Sequence, residues 1–149
     1  MNIKEFDYLE IALNELTNNQ EVLIKASIDL EKIFFNILDE SYCDFSNISC
    51  RVKSTESLRE KILRNHYYKR YPNANDLIFK LSDLIGIRIE CRFGDDEKKI
   101  YRFLKKYFNK KLDDDFYCSD NYNNIFLKLS GKQPQKQKNG FTIYRIDGK

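Results

Sequence analysis

The stretch "RVKSTESLREKILR", residues 51–64, carries five cations in fourteen residues. It reads as a strand running into a helix. Side chains alternate along a strand with period two, so Arg51 and Lys53 share one face. Ser54 is a good N-cap for the helix that follows, and Glu56 sits favourably in its first turn. Ser57, Lys61 and Arg64 then fall at i, i+4 and i+7, one narrow stripe of an α-helix. The result is a cationic wall that faces either water alone or a polyanion.

Upstream, "NISCRVK" alternates cleanly, with Ile48, Cys50 and Val52 on one face and Ser49, Arg51 and Lys53 on the other, the pattern of a half-buried strand. Downstream, "IGIRIECRF" alternates again: Ile87, Ile89, Cys91 and Phe93 point one way, Arg88, Glu90 and Arg92 the other. Pairing the two strands merges Arg51, Lys53, Arg88, Glu90 and Arg92 into one polar floor. Closely set Lys and Arg neutralise phosphate oxygens, and Arg binds two at once, so this floor beside the basic helix is a candidate triphosphate site. The competing reading, in which Glu56, Glu60 and Glu90 pair with these cations on a solvated surface, stays open at this point.

Around this centre the chain shows helical spacing from Ile3 to about Asp39, divided at "TNNQ", residues 17–20, into a short helix and a longer one. "YPNAND", residues 71–76, is a loop whose Asn75 or Asp76 can cap a short helix through Leu81. "GDDEKKIYRFLKKYF" predicts an amphipathic helix opened by acids, with Ile100, Phe103, Leu104 and Tyr107 facing a core. "NNIFLKLS" and "GFTIYRI" predict two further strands joined by a polar loop. The fold class is α+β, a mixed β-sheet with packed helices and a long N-terminal helix, in one domain spanning 1–149.

Composition places limits on function. Hydrophobic residues at 42% and charged ones at 33% describe a folded globule. No apolar run approaches the roughly 20 residues that span a bilayer, and "MNIKEFDYLE" lacks the blocks of a signal peptide, so a cytoplasmic location and no membrane partner are expected. A net charge of +3 does not require a nucleic-acid partner, although local clusters can serve phosphates. Cys43, Cys50, Cys91 and Cys118 have no zinc-type spacing and are expected to be reduced thiols. His66, the single histidine, reads as helix-end polarity. Tyr67, Tyr68 and Tyr71, beside Lys69 and Arg70, read first as aromatic packing over the core, with base stacking as the alternative.

The order of these pieces resembles the synthetase domain of RelA/SpoT-type alarmone synthetases, especially the small single-domain ones. The family motif is an R-x-K-S strand end, a helix carrying Ser, Lys and a second basic residue, and D-x-x-G-x-R leading into a strand. Here these are Arg51, Lys53, Ser54, Ser57, Lys61 and Arg64, then Asp83, Gly86 and Arg88, a match that covers about residues 45–105. The resemblance implies a nucleotidyltransferase-like fold and transfer of pyrophosphate from ATP to the 3′-hydroxyl of GDP or GTP. It implies ATP phosphates on Arg51, Lys53, Lys61 and Arg64, a hydroxyl donor at Ser57, Mg²⁺ on Asp83, and a catalytic phosphate contact from Arg88.

"KNGFTIYRIDGK" resembles the family's acceptor segment, usually N-G-Y-x-S-x-H, which implies an acceptor site at Lys138, Asn139 and Phe141. Ile143 and Arg145 stand where that pattern has Ser and His. The family's next strand, an E-x-Q segment, falls after Lys149, so the domain is expected to be incomplete at its C-terminus. The expected partners are ATP and GTP or GDP, with a homo-oligomer left open. A nucleotide-binding module without turnover, and transfer to adenine nucleotides or the 3′ end of tRNA, are the alternatives.

Overall fold

The computed structural model describes residues 2–112, 115–129, 133–138 and 142–148. They divide into two compact units, Met1–Phe34 with Ser49–Arg88, and Phe35–Ile48 with Ile89–Lys149.

The first unit is built on α1, Ile3–Asn18, and α3, Thr55–Asn65. α1 begins with a reciprocal cap: Glu5 N–H donates to Asn2 Oδ1 at 2.8 Å, and Asn2 N–H donates to Glu5 Oε2 at 3.2 Å. Its Tyr8, Leu9, Ala12 and Leu16, spaced at three and four, are buried against Leu58 and Ile62 of α3. Ala74, Leu77 and Ile78, from the 71–76 loop and the short 3-10 helix Leu77–Lys80, complete this core. Each buried Leu or Ile contributes about 1.5–3 kcal/mol, so the cluster holds α1, α3 and the 3-10 helix together. Asn19 alone interrupts the first helix before α2, Gln20–Glu40, inside the expected break. Ile24 and Ile28 stay about half exposed despite their helical spacing.

β1, Asn47–Val52, shows the alternation read from its sequence, with Ile48, Cys50 and Val52 the more buried set. It pairs with β2, Ile85–Glu90. Lys53 N–H donates to the Leu84 carbonyl at 2.8 Å, and Ser46 N–H donates to the Glu90 carbonyl at 2.7 Å, so the two chains run in opposite senses. Tyr67–Arg70 forms a single helical turn, α4, with Tyr67 buried; the three tyrosines belong to the core and its edge.

In the second unit α5, Gly94–Tyr107, opens with Asp95, Asp96 and Glu97 and buries Ile100 and Leu104, as its spacing predicts. Phe93 departs from the expected inward face and is 71% exposed. The ladder stops at Glu90, so alternation beyond it has no sheet face to follow, and Phe93 becomes the residue before the helix. Short strands follow: β3 Lys110–Lys111, β4 Phe116–Cys118, β5 Leu127–Lys128 and β8 Asp147–Gly148 form one antiparallel sheet in that order, while β6 Gln135–Lys136 pairs with β7 Thr142–Ile143. The α+β class holds, and the described ladders fall into three small sheets. No helix among the described residues is long and apolar enough to cross a membrane.

Candidate active site

The site belongs to the first unit and starts from the last residue of the β1 register. The Lys53 N–H bond to Leu84 sets Lys53 beside the segment that carries Asp83. Ser54 then turns the chain: its Oγ accepts the Ser57 N–H at 3.1 Å, which starts α3. With Leu58 and Ile62 buried at 0% and 2% exposure, Ser57 and Lys61 flank the buried face, half-buried, and Arg64 is exposed further round the helix.

Three of the predicted residues meet. Asp83 Oδ2 accepts hydrogen bonds from Lys53 Nζ at 2.9 Å and Lys61 Nζ at 2.7 Å. Lys53 is buried to 9% exposure, while Asp83 keeps about a third of its surface. Burial pushes the Asp83 carboxyl up, but the two ammonium groups outweigh it and hold the carboxyl below its ordinary value, so it is ionised at neutral pH. The second oxygen, Oδ1, is buried and has no hydrogen-bond partner among the described residues. A buried anionic lone pair without a donor is costly in isolation and is a ready acceptor for a metal or a bound water.

Arg51 approaches the same region from β1. Its side chain lies across Gly86: a Cβ built on Gly86 would stand 3.3 Å from Arg51 Nε and 3.5 Å from Cγ. Gly86 therefore acts by leaving room for the guanidinium stem on the neighbouring strand. Arg88, two residues on and on the same strand face, is exposed, as are Arg51 and Arg64. None of these arginines has a carboxylate within 4.0 Å among the described residues, and Glu56, Glu60 and Glu90 form no ion pair there. The pairing with Glu56, Glu60 and Glu90 left open by the sequence is thus not formed, and among the described residues Asp83 is the one carboxylate that pairs with these site cations.

The sequence assigned Lys53 and Lys61 to phosphate and Asp83 to metal as separate roles. The sequence reading gathers these cations and Asp83 around one magnesium-bound nucleotide tail; the structure adds that both lysines bond directly to a single oxygen of Asp83, a detail that depends on register between segments 30 residues apart. Of the acceptor residues, Lys138 is exposed in the second unit, and Asn139 and Phe141 lie outside the described residues. Arg145, at the family's His position, has its guanidinium 4.0 Å from Asp147, and its backbone exchanges two hydrogen bonds with the Gln133 amide. His66 closes α3 in the left-handed conformation, φ 50° and ψ 47°, a backbone role in keeping with helix-end polarity.

No curated protein and no solved structure matches the chain. A family model described as a region found in RelA / SpoT proteins matches residues 50–147, a span that contains every residue of the Lys53, Lys61 and Asp83 cluster as well as Arg51, Gly86 and Arg88. With 98 of its 149 residues inside that match, the chain belongs to the RelA/SpoT family.

Proposed function

We propose that this protein is a pyrophosphokinase that moves the β,γ-pyrophosphate of ATP to the 3′-hydroxyl of GDP or GTP. In that reaction the 3′-oxygen bonds to the β-phosphorus, the bond from that phosphorus to the AMP oxygen breaks, AMP departs, and the hydroxyl proton is released. Negative charge spreads over non-bridging oxygens and the leaving group, so fixed cations supply most of the help. Arg51, Lys53, Lys61 and Arg64 take the triphosphate, Ser57 adds a hydroxyl donor, and Arg88 meets the charge that develops in transfer. The carrying observation is the cluster itself: two ammonium groups gathered on one carboxylate, beside Arg51, Arg64 and Arg88, which have no carboxylate within 4.0 Å among the described residues.

Mg²⁺ is held by one or two carboxylates together with phosphate oxygens and waters. Asp83 fits as the single carboxylate ligand, through the buried and partnerless Oδ1. No group of three His, Cys, Asp or Glu side chains suited to a metal occurs among the described residues, so phosphates and waters would fill the remaining positions. Bound there, Mg²⁺ would neutralise β- and γ-phosphate charge.

A second reading, nucleotide binding without turnover, draws on the same carboxylate, whose Oδ2 is already shared by two ammonium groups. A third changes the acceptor to adenine nucleotides or the 3′ end of tRNA, motivated by Ile143 and by Arg145, which is turned to Asp147. Incubating ATP labelled in its γ-phosphate and Mg²⁺ with GDP, GTP, adenine nucleotides or tRNA separates them. Label in a guanosine product supports the first reading. Label only in an adenine nucleotide or tRNA overturns it in favour of the third, and ATP binding without transfer overturns it in favour of the second.

A further inference from the structure

A second cationic surface lies on α5, formed by residues that carry no role in the nucleotide chemistry assigned above. Residues 98–111, "KKIYRFLKKYFNKK", contain seven cations and no acid. The other 19 cations stand against all 23 acids, so the rest of the chain carries −4 while this segment carries +7. Lys98, Arg102 and Lys106 occupy one row at i, i+4 and i+8, flanked by Lys99 and Lys105, and all five are exposed. Ile100 and Leu104 on the opposite side are buried, which fixes this row toward solvent.

The usual explanation of such a row is a solvated helix face laced with ion pairs. That explanation fails here, since none of the five has a carboxylate within 4.0 Å among the described residues. Lys105 and Lys106 are favoured in the last turn by the helix dipole, but Lys98, Lys99 and Arg102 lie too early to gain from it. Asp95, Asp96 and Glu97 offset charge only at the start of the helix, so Arg102, Lys105 and Lys106, with Lys98 and Lys99 within about 12 Å, keep a net mutual repulsion that a bound polyanion relieves. The edge of the row carries stacking surface: Lys105 Nζ lies 5.7 Å from the centre of the Tyr101 ring, and the Tyr101 ring is 5.0 Å from that of Tyr144 at 37°. Both tyrosines are half-buried, held by packing with part of each surface open.

We propose that this face of α5 binds single-stranded nucleic acid, with Lys98, Arg102 and Lys106 on the phosphates and the Tyr101–Tyr144 pair against an unstacked base. Cations alone would take any polyanion; aromatic rings beside them favour a strand whose bases are free to stack. Exposed phosphate contacts release counterions, so binding is expected to weaken steeply with salt.

The test is fluorescence anisotropy of labelled oligo(U) and oligo(dT) with the full chain over a salt series, beside a duplex of the same length and inorganic polyphosphate. K98Q/R102Q/K106Q should lose about ten-fold or more in affinity at low salt and flatten the log–log salt slope by about 2, at roughly 0.7 per phosphate on a single strand. Tyr144→Leu should weaken oligonucleotide binding about five-fold or more and leave polyphosphate binding unchanged. Circular dichroism checks that each variant folds, and the wild-type salt slope and polyphosphate competition test the proposal without any variant. No oligonucleotide binding at low salt, equal binding by the triple variant, tighter binding of the duplex, or polyphosphate binding that matches the oligonucleotides would each overturn it.

Discussion

Lys61 Nζ and Asp83 Oδ2 stand 2.7 Å apart, and the same oxygen holds Lys53, so one carboxylate joins the end of β1 to the middle of α3. Asp83→Asn keeps the shape and removes the charge that both lysines share. Lys53, at 9% exposure, then loses its counter-ion, while the partial exposure of Asp83 lets water screen part of the loss. The variant should lose about 1–3 kcal/mol in urea unfolding and fall to background in pyrophosphate transfer. Unchanged stability and transfer would remove Asp83 from both roles.

The same pair dictates behaviour in acid. The folded Asp83 carboxyl titrates below its ordinary value of 3.8 because the lysines outweigh its burial. A depressed folded value gives stability that is complete above the unfolded value and disappears as pH falls through the folded one. Wild type should therefore lose stability below about pH 4 faster than Asp83→Asn, and the gap between the urea midpoints of the two proteins should be narrower at pH 3 than at pH 6.

Alkali tests a different bond. The Tyr8 hydroxyl donates to the Tyr71 carbonyl at 2.7 Å and, more weakly, to that of Tyr67 at 3.5 Å, tying α1 to the chain after α3. Burial, then the neighbouring Tyr71, pushes the hydroxyl up to about 12 from 10.0. A raised folded value means the stabilisation is whole below pH 10 and is lost as pH climbs toward 12. Tyr8→Phe should cost about 1 kcal/mol at neutral pH and show a flatter stability profile as pH rises from 10.0 toward about 12.

Gly86 separates stability from chemistry. A strand residue gains propensity when Gly becomes Ala, but here the added methyl would stand 3.3 Å from Arg51 Nε, so the guanidinium must shift. Gly86→Ala should stay within about 1 kcal/mol of wild type by thermal melting while raising KM for ATP several-fold. Gly86→Val, with two more carbons against the same side chain, should raise it further. A KM that stays constant across the series would detach Arg51 from the triphosphate.

What the sequence made legible is local, and what it hid is not. The Ser54 cap, the β1 alternation, the acid-opened α5 and the break at Asn19 each depend on neighbours within four residues, and each appears where the spacing put it. The Lys53–Asp83–Lys61 contact, the seat of Arg51 over Gly86 and the division of the described strands into three small sheets depend on register between distant segments, which periodicity does not encode. "NNIFLKLS" shows the limit: its apolar pattern predicts a full strand, yet among the described residues only Leu127–Lys128 finds ladder partners on both sides. Phe93 was misplaced for the related reason that alternation continues in the letters after the ladder has ended.

Ser54 offers the most discriminating substitution, because its cap and the cationic site share one turn of chain. Ser54→Ala removes the acceptor for the Ser57 N–H at 3.1 Å and should cost about 1 kcal/mol while loosening the turn that presents Ser57. Ser54→Asp supplies another good cap and a favourable charge at the helix N-terminus, so it should restore the melting temperature. It also sets a new carboxylate next to Lys53, in competition with phosphate oxygens. If the wall of Arg51, Lys53 and Lys61 binds a triphosphate, the Asp variant should be as stable as wild type and bind ATP about ten-fold more weakly, by calorimetry at low salt. Equal ATP affinity in the Ser and Asp proteins would show that the wall faces water alone.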